Sequence, residues 1–200
     1  MKVIRHTDAD FPTRLQEVTA PSSLFDAEIE QRTRAILDAV HARGDEALLE
    51  FTERFDGAKL STDQLVVTQA ELMSASLKAD ESLRAAVTEA ERNIATFAKK
   101  SKRRNWESKN SHGAKVGEKF DAFQRVGIYI PGGTAPLVST ALMTITLARV
   151  AGCKEIVVCT PCGKDGSINS ALLFAARAAG ATEIYRVGGS QAIAAMAYGT

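Results

Sequence analysis

Pro131, Gly132 and Gly133 interrupt an apolar run in the stretch FQRVGIYIPGGTAPLVST, residues 123–140. Glycines lack a Cβ, so a ligand can approach the backbone there. A helix starting just after them would offer free amides to an anion or a phosphate. Thr134 could cap that helix, and Pro136 suits its first turn. A second Gly-Gly pair, Gly188-Gly189, precedes Ser190 and Gln191. Two such turns at one edge of a sheet would form a crevice, the usual ligand position in open α/β folds. Tyr129 and the amide of Gln191 could hold a ligand along it.

The spacing is not G-x-G-x-x-G, because four residues separate Gly127 from Gly132. The next apolar run ends Val158-Cys159-Thr160 and carries no acidic ribose reader. On the residues alone, a nucleotide site and a structural tight turn both remain open. Cys159 and Cys162 form a C-x-x-C pair, which raises dithiol redox chemistry. Gly163-Lys-Asp-Gly166 separates that pair from the next helix, so no helix dipole would lower a thiol pKa. Three cysteines cannot form a four-thiolate zinc site in one chain. His6, His41 and His112 are far apart and lack metal-ligand spacing. No Ser-His-Asp arrangement and no nucleophile elbow can be argued.

The surrounding pattern must position these turns. Val126, Ile128 and Ile130 read as a buried strand. From Gln124 onward strand and helix alternate: strand 125–130, helix 134–151, strand 155–160, helix 167–179, strand 183–187 and helix 189–198. Connections of this length predict a parallel sheet. Residues before about 122 read as mostly helical. A short helix is expected around Arg14 to Val18. Ile29, Thr33, Ile36, Leu37 and Val40 mark one helix face, closed by Gly44, with Asp45 as the next cap. Leu48, Phe51 and Phe55 mark the following helix. Leu65 to Val67 reads as a short strand, and Thr68 with Glu71 as a capping box. Asp80 opens a longer helix with a stripe through Leu83, Val87, Ala90, Ile94 and Phe97. The basic run from Lys99 to Arg104 fits a helix C-terminus whose cations offset its dipole. Trp106 to Gly113 reads as loop, and Lys115 to Phe120 as one strand of an antiparallel ribbon.

The chain has 200 residues, 45% hydrophobic and 24% charged, with a net charge of +1. This balance gives no general attraction to nucleic acid or to an anionic membrane. No secretory leader and no membrane span are visible, and the cysteine usage fits a reducing compartment, so a cytoplasmic location is expected.

Two segments, VGIYIPGGTAPLVSTALMTITLARVAGCKEIVVCTP and AAGATEIYRVGGSQAIAAMAYGT, together resemble histidinol dehydrogenase. The resemblance covers residues 124–200 closely and 26–100 more weakly. It implies an α/β fold: an incomplete Rossmann-like parallel sheet in residues 123–200, after a mostly helical part, 1–122. It implies oxidation of L-histidinol through the aldehyde to L-histidine, the last steps of histidine biosynthesis, using NAD and zinc in a homodimer. Close relatives with the same motifs oxidise other small alcohols, including a sulfonated propanediol. The resemblance places Tyr129, Gln191, Gly132 and Gly133 at the cofactor and Ser139 near the substrate. It places the zinc ligands and the catalytic Glu-His pair beyond the equivalent of Thr200. This chain is then expected to be an N-terminal part, inactive alone, with an exposed apolar edge. A non-catalytic module binding a nucleotide or a partner is the rival reading.

Overall fold

The computed structural model describes residues 3–20, 26–132 and 136–200. Thr134, expected as a cap, and Gly133 lie outside the described residues. Thirteen α-helices and β-strands follow one another among the described residues. They are α1 (Phe11–Thr19), α2 (Ala27–Arg43), α3 (Asp45–Asp56), α4 (Gln69–Lys78), α5 (Glu81–Ser101), β1 (Trp106–Lys109), β2 (Lys115–Glu118), β3 (Arg125–Tyr129), α6 (Val138–Ala151), β4 (Glu155–Thr160), α7 (Ser170–Ala179), β5 (Glu183–Arg186) and α8 (Gly189–Tyr198).

Strands β3, β4 and β5 form a parallel sheet in that order, with Tyr129 opposite Cys159 and Cys159 opposite Tyr185. Alternation along β4 sends successive side chains to opposite faces. Ile156 and Val158 join a core built with Leu72, Val87, Leu142, Ile145, Leu172 and Ile184, under α4 to α7. Cys159 faces a second core with Val40, Leu48, Phe51, Val187 and Ala192, under α2, α3 and α8. The result is a sheet between two helical layers, the α/β class expected from the strand–helix alternation.

The N-terminal segment is joined to this sheet by backbone bonds. The Val67 amide donates to the Ile184 carbonyl at 2.8 Å, and the Arg186 amide donates to the Leu65 carbonyl at 2.8 Å. Leu65 to Val67 therefore extends the β5 edge as a short antiparallel bridge. The capping box forms as the sequence predicts: Thr68 Oγ1 accepts from the Glu71 amide, and Glu71 Oε2 accepts from the Thr68 amide at 2.8 Å.

Several boundaries differ from the expectation. Helix α6 begins at Val138 rather than 134, with Leu137 at its cap position. Helix α7 begins at Ser170 because Asn169 Oδ1 accepts from the amides of Ala171 and Leu172. Gly44, not Asp45, occupies the cap position of α3, with φ of 54°, and Asp45 sits inside the first turn. Trp106 to Lys109 is a strand, not loop. It pairs with Lys115 to Glu118 through a turn in which Asn110 Oδ1 accepts from the amides of His112 and Ala114. Every residue of both strands is exposed, so no apolar alternation marks them. Phe55 and Phe97, expected on apolar stripes, are 50% and 73% exposed. In the basic run, the Lys102 ammonium donates to the carbonyls of Val150 and Ala151, so it caps α6 rather than its own helix.

Candidate functional site

The two glycine junctions meet at the C-terminal edge of the sheet. Tyr129 ends β3, and its hydroxyl accepts the Gly189 amide at 3.0 Å, tying the first junction to the start of α8. Pro161, just past β4, fills the space between the turns. A Cβ on Gly188 would stand 2.6 Å from Pro161 Cβ, and a Cβ on Gly132 would collide with Pro161 Cγ. Glycine is therefore required at both places by close approach. Gly189 adds a backbone reason, with φ of +61°.

Gln191 lies in the first turn of α8 and is 1% exposed. Neither Oε1 nor Nε2 of its amide has a hydrogen-bond partner among the described residues. Its Oε1 lies 2.5 Å from where a Gly189 Cβ would be. A buried amide left unpaired is costly and calls for a donor and an acceptor from elsewhere. Helix α8 has no side-chain cap, and its first amide, that of Gly189, is taken by the Tyr129 hydroxyl. Ser139 is exposed in the first turn of α6, which starts from the same edge. Gly132 is exposed beside Pro161. These four residues, Tyr129, Gly132, Ser139 and Gln191, thus come from two junctions at one edge. No general base stands among them.

The histidinol dehydrogenase family model matches residues 20–200. The histidinol dehydrogenase of Symbiobacterium thermophilum is 47% identical over 176 residues, which cover 88% of this chain and 40% of that protein. The enzyme of Heliobacterium mobile is 41% identical over 199 residues, covering 100% of this chain and 46% of that protein. This chain belongs to the histidinol dehydrogenase family. The crystal structure of histidinol dehydrogenase from Elizabethkingia anophelis superposes with a TM-score of 0.81 at 35% identity, over 86% of this chain and 39% of that one. The fold is therefore that of the histidinol dehydrogenase family. The chain spans less than half the length of the curated relatives it matches.

Other sequence candidates fall away from this edge or are chemically quiet. Cys159 is buried, and desolvation pushes its thiol up to about 11. Burial, then the nearby Asp56 charge, also raises the Cys162 thiol. Both shifts disfavour the thiolate that dithiol exchange needs. His41 packs at a tilt against Tyr198, with ring centroids 4.6 Å apart and 49° between the ring planes. Among the described residues no group of three His, Cys, Asp or Glu side chains could hold a metal ion.

Two features escaped the sequence reading. Asp56, the last residue of α3, reaches this edge from the helical layer. Its Oδ2 is buried without a hydrogen-bond partner, and burial raises its carboxyl pKa. Arg186, at the end of β5, is buried and donates to the carbonyls of Gly166, Gln64 and Val66. A separate cleft of about 580 Å³ lies on the α8 side of the sheet, lined by Leu48, Leu65, Arg125, Gly127, Tyr185 and Met196. The glycine turns do not line it.

Proposed function

We propose that this chain is the NAD-binding, substrate-orienting part of an enzyme that oxidises L-histidinol through L-histidinal to L-histidine. The observation that carries this reading is the Tyr129–Gly189 bond, which joins the two glycine turns beside the unpaired Gln191 amide. The donor set suits a dinucleotide. The positive end of α8 would favour phosphate oxygens near its first turn, beside the close-packed glycines at 132 and 188. Gln191 offers two N–H donors and two acceptor lone pairs to an amide or a hydroxyl.

NAD supplies a hydride acceptor when bound. The residues of this chain would hold it: Tyr129 would fix the relation between the two turns, Gln191 the ligand orientation, and Pro161 the width of the edge. Ser139, exposed at the start of α6, is assigned to the substrate side. Such positioning converts binding energy into alignment of the alcohol carbon with the cofactor. Zinc has no ligand set among the described residues.

Phe97, Met143 and Leu147 are exposed on the neighbouring helices α5 and α6. Such an apolar surface supports further packing, in keeping with a homodimer. A cytoplasmic location is part of the same proposal. No helix among the described residues is long and apolar enough to cross a membrane.

Two measurements test this function. Titration of the chain with NADH, followed by ligand fluorescence, is expected to give saturable binding that weakens about tenfold in Tyr129→Phe, the loss of one hydrogen bond. NADH formation from L-histidinol by the product of the complete natural gene is expected. Oxidation only of a different small alcohol by that product would overturn the substrate.

A further inference from the structure

In dinucleotide-binding α/β sheets an acidic side chain at the end of the second strand receives the adenosine ribose hydroxyls. Here the corresponding strand, β4, ends in Cys159 and Thr160 and then Pro161, so that position holds no carboxylate. The acid comes from another element. Asp56 closes α3, and Gly57 ends that helix in the left-handed conformation, with φ of 71°. Helix α3 packs against α8, which carries the second glycine turn. The Asp56 Oδ2 atom sits 3.3 Å from the place a Gly188 Cβ would take, and its charge is felt at Cys162, beyond β4.

Asp56 Oδ2 is inaccessible to solvent and has no hydrogen-bond donor among the described residues. The neighbouring junction holds Gln191, almost wholly buried, with both amide atoms unpaired. A lone buried carboxylate oxygen is destabilising and calls for a donor from outside the described residues. Ionised carboxylate is acceptor-only, so the ligand must present hydroxyl or amine hydrogens and not phosphate oxygens. A ribose diol meets that requirement, and a 2′-phosphate violates it.

We infer that Asp56 is the ribose-reading carboxylate of this site, taking hydrogen bonds from the adenosine ribose diol and rejecting a 2′-phosphate. This rests on the proposal that the edge binds NAD. It adds that selectivity for NAD over NADP resides in the helical layer and not in the sheet.

The test compares NADH and NADPH binding to the wild-type chain, Asp56→Asn and Asp56→Ser by calorimetry, with thermal unfolding as the check of folding. The wild-type chain is expected to prefer NADH. Both variants should lose NADH affinity, by about tenfold for one hydrogen bond to a charged acceptor, and the preference over NADPH should narrow or invert. The near-isosteric Asp56→Asn keeps the test readable if Asp56→Ser folds poorly. NADH binding with an unchanged NADH/NADPH ratio in the folded variants overturns the inference alone. No NADH binding by the wild-type chain overturns the cofactor reading and the inference together.

Discussion

Arg186, at the end of β5, donates to Glu71 in the first turn of α4, across 115 positions of sequence. The same guanidinium donates to the carbonyls of Gly166, Gln64 and Val66, so one side chain ties the helical segment to the sheet. Glu71 in turn closes the Thr68 capping box. Burial raises the Glu71 pKa, but the bonds from Arg186 and Thr68 outweigh it and leave the carboxyl below its usual range.

Replacing this guanidinium strands several acceptors at once. Arg186→Met is expected to cost about 2–4 kcal/mol, a drop in Tm of several degrees. Glu71→Gln is expected to cost about 1 kcal/mol or less, because Glu71 is 42% exposed and screened by solvent. Urea unfolding of both variants checks the order. Equal costs would mean that the ion pair, and not the backbone bonds, carries the joint.

At the opposite edge, Arg125 donates to both oxygens of Glu183, at 2.9 and 3.0 Å, and to Glu155 at 2.5 Å. The Arg125 guanidinium, helped by the Tyr185 hydroxyl, holds the Glu183 carboxyl below its usual range. A depressed folded-state pKa gives stability that is present above the unfolded-state value and is lost as pH falls through the folded one. Arg125→Met should therefore flatten the loss of stability on acidification below about pH 4.5, where free glutamate titrates. The Arg125–Glu183 pair is partly exposed, so its effect is at most about 1 kcal/mol. Parallel acid-denaturation curves for both proteins would refute it.

Pro161 is the spacer between the glycine turns, and its two contacts are chemically distinct. A Gly132 Cβ would collide with Pro161 Cγ but stand an ordinary 3.4 Å from Pro161 Cβ, whereas a Gly188 Cβ would stand 2.6 Å from Pro161 Cβ itself. Gly132→Ala and Gly188→Ala should each cost about 1–3 kcal/mol by overpacking. Adding Pro161→Ala removes Cγ, so it should relieve Gly132→Ala and leave Gly188→Ala unrelieved. A double-mutant cycle on thermal stability measures both couplings. Equal rescue of the two would contradict this placement.

The thiols of Cys159 and Cys162 are both shifted away from the thiolate. Alkylation of the folded chain by iodoacetamide near pH 8 should be about tenfold or more slower at Cys159 than at a free thiol, whose pKa is about 8.5. Cys159→Ser should leave the response to oxidant unchanged. Rapid formation of a 159–162 disulfide in the folded protein would restore the redox reading.

The sequence by itself determined the strand–helix order from residue 124 onward. β-branched runs, glycine joints and capping residues are local signals, and local sterics and hydrogen bonding enforce them. The family was legible in the same stretch, since long motifs around Tyr129 and Gln191 resemble histidinol dehydrogenase. Element ends were less legible. Helix α7 begins where Asn169 caps it, and the exposed strand Trp106–Lys109 has no apolar period to announce it.

Only the tertiary structure decided what meets at the sheet edge. Nothing in the spacing between Asp56 and Gly188 places a carboxylate at the second glycine turn. Nothing in the spacing between Tyr129 and Gly189 predicts their hydrogen bond. Such contacts arise because the two helical layers bury opposite faces of one sheet, and that packing fixes which chain ends converge. Hydrophobic burial acts between residues distant in sequence, so a pattern read along the chain can name the pieces while their packing chooses the neighbours.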